Sequence, residues 1–289
     1  MSKAIVLKSI SGISTLKDLE NYEIFLAELK GSLLKEKTII YPGDYVEYSD
    51  SQSTKIITNI INRKNFLNRP KIANIDYLVI VNSITEPKSS IRMINKYILF
   101  FQSQFIDNIV LYFTKFDLLK NNEIDEAKKL VNHFKKDGFI CFSSDKYSEF
   151  ADFLNEQYGK VICFTGQSGV GKSTLLNLIN EKFNIRTNEI SKALNSGKHT
   201  TTATNLLAHE NGYLVDTPGF SSVSLDMDKL LLANGYKDFR EASINCKFNN
   251  CLHKTEINCA IKDMVEKKII SKERYDDYLF FLNNISDKK

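Results

Sequence analysis

The 289-residue sequence contains no apolar run near the roughly 20 residues that a membrane-spanning helix requires. Its opening stretch, Met1 to Lys8, returns to charge too soon for the apolar core of a secretory leader, so a cytoplasmic setting is expected. Neither a lipidation motif nor a basic amphipathic helix occurs, and no membrane partner is expected. Cysteine is scarce and odd in number: five residues, unevenly placed, make a poor disulfide framework in a chain this long. Strong charge is missing as well. The net charge is +4, residues 1–70 hold ten Lys/Arg against eight Asp/Glu, and residues 226–289 hold twelve against eleven. DNA-binding domains usually carry a stronger basic footprint. No DNA partner is expected, and any phosphate-binding surface must be assembled by folding from scattered cations. Internal repeats are absent too.

What remains is a globular composition, 43% hydrophobic and 26% charged, long enough for two or three domains of about 100–200 residues each. The first part has short β-favouring runs at 4–7, 38–41, 45–48 and 56–61, separated by turn signals such as Pro42-Gly43-Asp44 and Ser49-Asp50-Ser51. That spacing fits a small barrel, with an oligonucleotide-binding (OB) barrel as one candidate. After Arg69-Pro70 the texture changes. Apolar runs at 77–81, 109–114, 139–143 and 161–165 alternate with helical patterns at 91–105, 123–136, 149–157 and 172–183. Such alternation implies a parallel sheet covered by helices on both faces. Runs at 204–208 and 213–216, joined across Glu210-Asn211-Gly212, read as a hairpin extending it. The expected organisation is a barrel over 1–68, an α/β domain over 69–225 and a mainly helical domain with a cluster of cysteines over 226–289.

Gly166-Gln167-Ser168-Gly169-Val170-Gly171-Lys172-Ser173, followed by Thr174, is a Walker A loop with a strand before it and a helix after it. Its glycines let backbone N–H groups curl inward around phosphates, beside a helix N-terminus that favours anions. Lys172 would reach the β- and γ-phosphates and Ser173 would ligate Mg²⁺. Asp216-Thr217-Pro218-Gly219 ends the hairpin. There Asp216 would hold Mg²⁺ through water and the Gly219 N–H would sense the γ-phosphate; alone, the same four residues would read as an ordinary turn. Thr114-Lys115-Phe116-Asp117 follows a strand. Asp117 can accept from guanine N1–H and the exocyclic amine, which adenine lacks, while Lys115 packs along the base. This points to GTP and GDP, although a strand-end turn is the bland reading of the tetrapeptide. Ser143 and Ser144 would complete the base pocket through backbone N–H groups.

The order of these parts is unusual. The base readers at 114–117 and 143–144 precede the phosphate loop at 166, and Asp216 comes last. The three loops fit one site only if the domain is circularly permuted. Between the phosphate loop and Asp216 lies Gly197-Lys198-His199-Thr200-Thr201-Thr202. A threonine here, Thr201 by preference, would close over Mg²⁺ and the γ-phosphate, making a segment ordered by GTP and released on hydrolysis. Phe220 stands after Gly219, where many GTPases carry the glutamine that orients the attacking water, so slow basal turnover is expected. His199 is the candidate catalytic substitute, because a neutral imidazole can accept a proton or orient water. Packing or an RNA contact is its alternative role.

Cys246, Cys251, His253 and Cys259 form C-x₄-C-x-H-x₅-C. Four soft ligands at short spacing suit one closed, structural Zn²⁺ site, the alternative being unligated buried thiols. Cys141 and Cys163 lie in apolar runs and read as core residues.

Taken together, the T-K-F-D, G-Q-S-G-V-G-K-S-T, G-K-H-T-T and D-T-P-G-F loops, in that order and followed by the Cys/His knuckle, resemble the circularly permuted, ribosome small-subunit-dependent GTPases of the RsgA (YjeQ) family. Pro42-Gly43-Asp44-Tyr45-Val46 and the stretch from Arg69-Pro70 to Ile75-Asp76 look like that family's barrel and junction, so the resemblance spans essentially the whole chain. It implies an OB barrel that binds RNA, a permuted GTPase domain and a zinc domain. It further implies a GTP phosphohydrolase that binds the small (30S) ribosomal subunit, with its 16S rRNA and proteins, as a late maturation checkpoint. Hydrolysis would be faster on the subunit and coupled to release. The family's proposed catalytic histidine falls on His199. Gly169 stands where some related GTPases hold potassium with an asparagine, so no potassium dependence is expected. Arg63, Lys64, Arg69 and Lys71 are a candidate RNA-contacting cluster or a solvated linker. A monomer is the default. The competing class is a GTP-switched RNA-binding module with negligible catalysis.

Overall fold

In the computed structural model, which describes residues 2–10, 12–51, 54–180, 206–209, 212–217 and 223–285, the N-terminal strands close into a barrel because alternate side chains along them are apolar. The strands are β1 (Ser2–Ile10), β2 (Ile13–Asp18), β3 (Ile24–Leu29), β4 (Tyr45–Ser51) and β5 (Thr54–Ile60), in the closed order β1-β2-β3-β5-β4. Neighbours pair antiparallel except β3 with β5, which are parallel. Val6, Leu16, Ala27, Val46, Tyr48 and Ile57 fill the interior. This is a five-stranded barrel of the OB type. It belongs to the first of two compact units, Met1–Tyr77 with Asp152–Phe164 and Ser173–Pro218.

One expected barrel strand is absent. Residues 38–41 form a loop after α1 (Gly31–Lys35), because their amides have other partners: Thr38 N–H donates to the Leu33 carbonyl and Tyr41 N–H to the Asp44 carboxylate. Ile40 still enters the core, which explains the apolar run. In its place stand β2 and β3, whose polar interruptions hide their alternation.

The Pro42-Gly43-Asp44 turn requires its glycine. Gly43 has φ +87°, and a Cβ there would lie 2.1 Å from the Ala73 carbonyl oxygen. Asp44 is fully buried and accepts from Arg63 Nε at 2.6 Å and Nη2 at 2.9 Å. Arg63 also stacks over the Tyr41 and Phe66 rings. Lys64 pairs with Asp76. Two of the four junction cations are therefore engaged inside the fold. Arg69-Pro70 forms the turn of the hairpin β6 (Phe66–Asn68) and β7 (Lys71–Ala73).

The second unit comprises Leu78–Ala151, Thr165–Lys172 and Gly219–Lys289. Here β8 (Tyr77–Ser83), β9 (Ile109–Thr114) and β10 (Ile140–Ser143) run parallel in the order β10-β9-β8. Every residue of β9 is buried, as expected for an inner parallel strand. The crossovers carry α2 (Ile91–Gln102) and α3 (Asn121–Lys136), and α4 (Tyr147–Asn155) follows β10. Ser90 caps α2 by accepting from Met93 N–H, and Glu123 accepts from Lys120 N–H at the start of α3. In the first unit, β11 (Val161–Gly166) pairs parallel with β13 (Gly212–Asp216), and β12 (Leu207–His209) pairs antiparallel with β13. Helix α5 (Lys172–Ile179) follows β11.

The C-terminal part of the second unit holds α6 (Lys229–Ala233), α7 (Lys237–Ala242), α8 (Ala260–Glu266) and α9 (Lys272–Asn283). It is tied to α2: nearly buried Asp277 accepts from Arg92 Nε at 2.6 Å and Asn95 Nδ2 at 2.9 Å, and Tyr236 OH donates to the Asn95 carbonyl at 3.0 Å. Among the described residues, no helix is long and apolar enough to cross a membrane.

Candidate nucleotide site and metal centre

Parallel strands deliver loops at their C-terminal ends, and the end of β9 carries Thr114-Lys115-Phe116-Asp117. Lys115 turns the chain sharply with φ +65°. Its neighbour Thr114 is 6% exposed, and its hydroxyl donates to the Val170 carbonyl at 2.5 Å, with the Asn82 carbonyl 3.1 Å away. The Lys115 ammonium donates to the Gly169 carbonyl at 2.9 Å and also to the Glu86 carbonyl. Two side chains of this tetrapeptide thus grip the backbone of the phosphate loop. Phe116 is buried, and its N–H donates to Ser144 Oγ at 3.1 Å, which joins the loop after β10 to the same cluster. Ser143 ends β10, and Asp117 is exposed.

The phosphate loop needs its glycines for two reasons. Gly169 and Gly171 have φ +81° and +90°, and a Cβ on Gly166 would lie 2.6 Å from the Val81 carbonyl oxygen. Val170 is fully buried between them. Gln167 is half-buried and Ser168 exposed; Lys172 and Ser173 begin α5 half-buried, and Thr174 is exposed. In the first unit, Asp216 ends β13 opposite Phe164, and Thr217 fixes that strand end with two bonds to the Phe164 carbonyl, from N–H at 3.1 Å and Oγ1 at 2.7 Å. His199, Thr201 and Gly219 lie outside the described residues.

The carbonyls of Asn82 and Glu86 could not be foreseen, since a backbone acceptor leaves no mark in a sequence. Lys115, expected along the base, holds the phosphate loop through its ammonium.

Cys246, Cys251, His253 and Cys259 come together with all ligand atoms within 4.8 Å of one another. Cys246 Sγ lies 3.7 Å from His253 Nδ1 and 4.0 Å from Cys259 Sγ, and His253 Nδ1 lies 3.3 Å from Cys259 Sγ. Bonds of about 2.3 Å to sulfur and 2.05 Å to nitrogen around a tetrahedral ion place such donors about 3.6–3.8 Å apart. The observed spacing fits that edge length. Burial pushes the Cys251 thiol up to about 12 and holds the His253 imidazole below its usual range. Neutral His253 offers a lone pair, while buried thiolates require a cation close by. The knuckle is pinned to α9, where Tyr278 OH and Tyr275 OH donate to the Leu252 and His253 carbonyls, each at 2.6 Å. The Glu256 carboxylate closes it, accepting from the N–H groups of Leu252, Lys254 and Thr255.

A P-loop joined to its base-reading loop, with that loop earlier in the chain, defines a circularly permuted GTPase. The family model for RsgA GTPase matches residues 60–226. The small ribosomal subunit biogenesis GTPase RsgA of Malacoplasma penetrans (strain HF-2) is 44% identical over 283 residues, covering 98% of this chain and 99% of that protein. The protein of the same name from Staphylococcus epidermidis (strain ATCC 12228 / FDA PCI 1200) is 37% identical over 292 residues, covering 100% and 99%. Among solved structures, YloQ, a circularly permuted GTPase, superposes with a TM-score of 0.80 at 30% identity, covering 100% of this chain and 96% of that one. YjeQ from Thermotoga maritima superposes with a TM-score of 0.78 at 29% identity, covering 100% and 99%. The chain belongs to the RsgA GTPase family and is a GTP hydrolase.

Proposed function

We propose that this GTPase acts in the cytoplasm as a checkpoint in late maturation of the small ribosomal subunit, with hydrolysis stimulated by the subunit and coupled to release. The observation that carries this reading is the span of its likeness to small-subunit biogenesis GTPases, which takes in barrel, nucleotide loops and Cys/His knuckle alike. The barrel at 1–68 would meet 16S rRNA, the domain at 69–225 would turn over GTP, and the region at 226–289 would be braced by one zinc ion. The protein would work as a monomer.

In the nucleotide site, Asp117 would accept from the guanine edge, with Thr114, Lys115, Phe116, Ser143 and Ser144 shaping the pocket. The N–H groups of Gly166, Gln167, Ser168, Gly169, Val170, Gly171 and Thr174 would cradle the phosphates. Lys172 would stabilise charge on the transferring phosphoryl group. Ser173, Asp216 and Thr201 would hold magnesium, which supplies neutralisation of charge on the β- and γ-phosphate oxygens. The Gly219 N–H would sense the γ-phosphate. With Phe220 in the position after it, His199 would orient the attacking water once the subunit orders its segment. Cys246, Cys251, His253 and Cys259 are the zinc ligands of this reading, and the fit of their spacing to a tetrahedral ion supports it.

The test is GTP and ATP hydrolysis with and without small subunits, for the wild type, Lys172→Ala and His199→Ala. The expected result is GTP turnover raised by the subunit, abolished in Lys172→Ala and unstimulated in His199→Ala. If GTP bound but turnover stayed flat on the subunit, the chain would be a GTP-switched RNA-binding module instead. Unchanged stimulation in His199→Ala would remove that residue from the mechanism.

A further inference from the structure

Away from the nucleotide loops and the Cys/His knuckle, the second unit holds a cleft of about 590 Å³, inside the range of roughly 300–1,000 Å³ typical of ligand sites. Its floor is apolar: Ile84 and Ala127 are buried, with Leu119 and Leu130 beside them. Its rim is acidic. Four carboxylates, those of Glu86, Glu123, Glu126 and Glu273, line it against only two lysines, in a chain of net charge +4. One of those lysines, Lys88, is already paired with Glu126 at 3.6 Å. His133 also lines the cleft, and its Nε2 is sealed from solvent without a hydrogen-bond partner among the described residues.

We infer that this cleft takes a basic peptide segment of a partner protein. An apolar side chain of the segment sits on Ile84, Ala127 and Leu130, and flanking Lys or Arg side chains meet Glu123, Glu126 and Glu273. RNA is disfavoured there, since its phosphates would face the same carboxylates. The inference rests on the ribosomal reading for the partner's setting, where proteins are rich in Lys and Arg because they neutralise phosphate.

The cleft is linked to the nucleotide loops over a short path. Ile84, Thr85 and Glu86 line it, Ile84 N–H donates to the Thr114 carbonyl, and the Glu86 carbonyl accepts from Lys115, which also holds Gly169. A segment that orders residues 84–89 biases Lys115 and, through it, the phosphate loop. By linkage, nucleotide and peptide must change each other's affinity by the same factor.

The probe is a fluorescein-labelled, end-capped Lys-Arg-Leu-Arg-Lys peptide, titrated against the full chain at about 0.1 M salt and followed by anisotropy. We expect saturable binding that weakens about tenfold in the double variant Glu126→Lys/Glu273→Lys, and again when the peptide leucine becomes glycine. Melting temperature and GTP affinity of that variant without peptide should match the wild type. Affinity should differ between the GDP and GTP-analogue states. No saturable binding, equal binding by the variant, or displacement by single-stranded oligouridylate overturns the site; equal affinity in both nucleotide states overturns the coupling. Stimulation of hydrolysis by small subunits is measured separately on the wild type. Intact stimulation without peptide binding sinks the cleft alone, whereas peptide binding without stimulation sinks the ribosomal reading.

Discussion

Replacing Thr114 by valine keeps the shape of the side chain and removes only the hydroxyl that donates to Val170. Val170 is fully buried and Thr114 itself is 6% exposed, so in the native arrangement the abandoned carbonyl has no ready water partner. Leaving a buried acceptor unsatisfied costs about 1–3 kcal/mol, and no cavity term adds to it because the volumes match. Without nucleotide, the phosphate loop can relax and let the carbonyl find water; with phosphates bound, it must return to the gripped geometry. The cost should therefore fall mainly on binding, as a loss of about 5- to 150-fold in affinity at about 1.4 kcal/mol per tenfold. GTP and GDP should suffer alike, since the loop cradles phosphates common to both. Titration with a fluorescent GDP and a fluorescent GTP analogue measures this directly, with thermal melting as the control for folding. Thr114→Ser, which keeps the donor, should stay near the wild type. If Thr114→Val bound both nucleotides within twofold of the wild type, the coupling between base-reading loop and phosphate loop would carry no energy, and the reasoning would fail.

Asp117→Asn should lower GTP affinity by at least about tenfold, because an amide cannot accept from both guanine donors; competition with xanthosine triphosphate, whose edge suits an amide better, should improve, and an unchanged preference would remove Asp117 from base recognition. Metal analysis should find about one zinc per chain, lost in Cys259→Ser together with a large drop in melting temperature, since structural zinc contributes on the order of 10 kcal/mol in small domains; a zinc-free protein with an unchanged melt would leave the knuckle as plain buried thiols. In the barrel, Tyr48 OH donates to Asp18 at 2.5 Å, and this bond, with the N–H groups of Asn21 and Glu20, holds the Asp18 carboxyl below its usual value. The folded pKa lies below the unfolded one, so the stabilisation is present above about pH 4 and is lost as pH falls through the folded value. Tyr48→Phe should cost about 1.5–3 kcal/mol at neutral pH and move acid unfolding to higher pH. Burial and Asp18 push Tyr48 up to about 12, so on the alkaline side the wild type should lose stability from about pH 10 upward, and Tyr48→Phe should lose less, the remaining loss coming from other tyrosines that burial also shifts up, such as Tyr97 and Tyr213. Circular dichroism across pH tests both limbs, and superimposable curves would refute them.

The legible parts of this chain are those whose chemistry is contiguous. The phosphate loop can be read because Gly169 and Gly171 adopt positive φ that other residues resist, and because a strand and a helix flank it. The Cys/His knuckle can be read because its ligand spacing is short enough for one turn-rich segment to surround an ion. Helix and strand positions in the α/β region followed from apolar periodicity, with shifts of a few residues at the ends. The barrel was harder. Residues 38–41 are as β-favouring as a true strand, yet the Asp44 carboxylate and the Leu33 carbonyl take their amides, and propensity says nothing of such competitors.

The sequence by itself determined the kinds of chemistry available: an anion cradle, a carboxylate of the kind that suits a guanine edge, a set of soft donors, and the chain order that demands a permuted domain. These depend on backbone freedom and side-chain type within a few residues, which are local properties. Only the tertiary structure decided how the side chains are employed. Arg63, a plausible RNA contact from its neighbours, is committed to buried Asp44, 19 residues away. Lys115 and Thr114 hold carbonyls 54 and 56 residues away. The acidic cleft gathers α3, the 84–91 loop and Glu273 of α9. Which charge meets which acceptor, and whether water can replace it, is set by burial among distant segments, and burial exists only once the chain has folded.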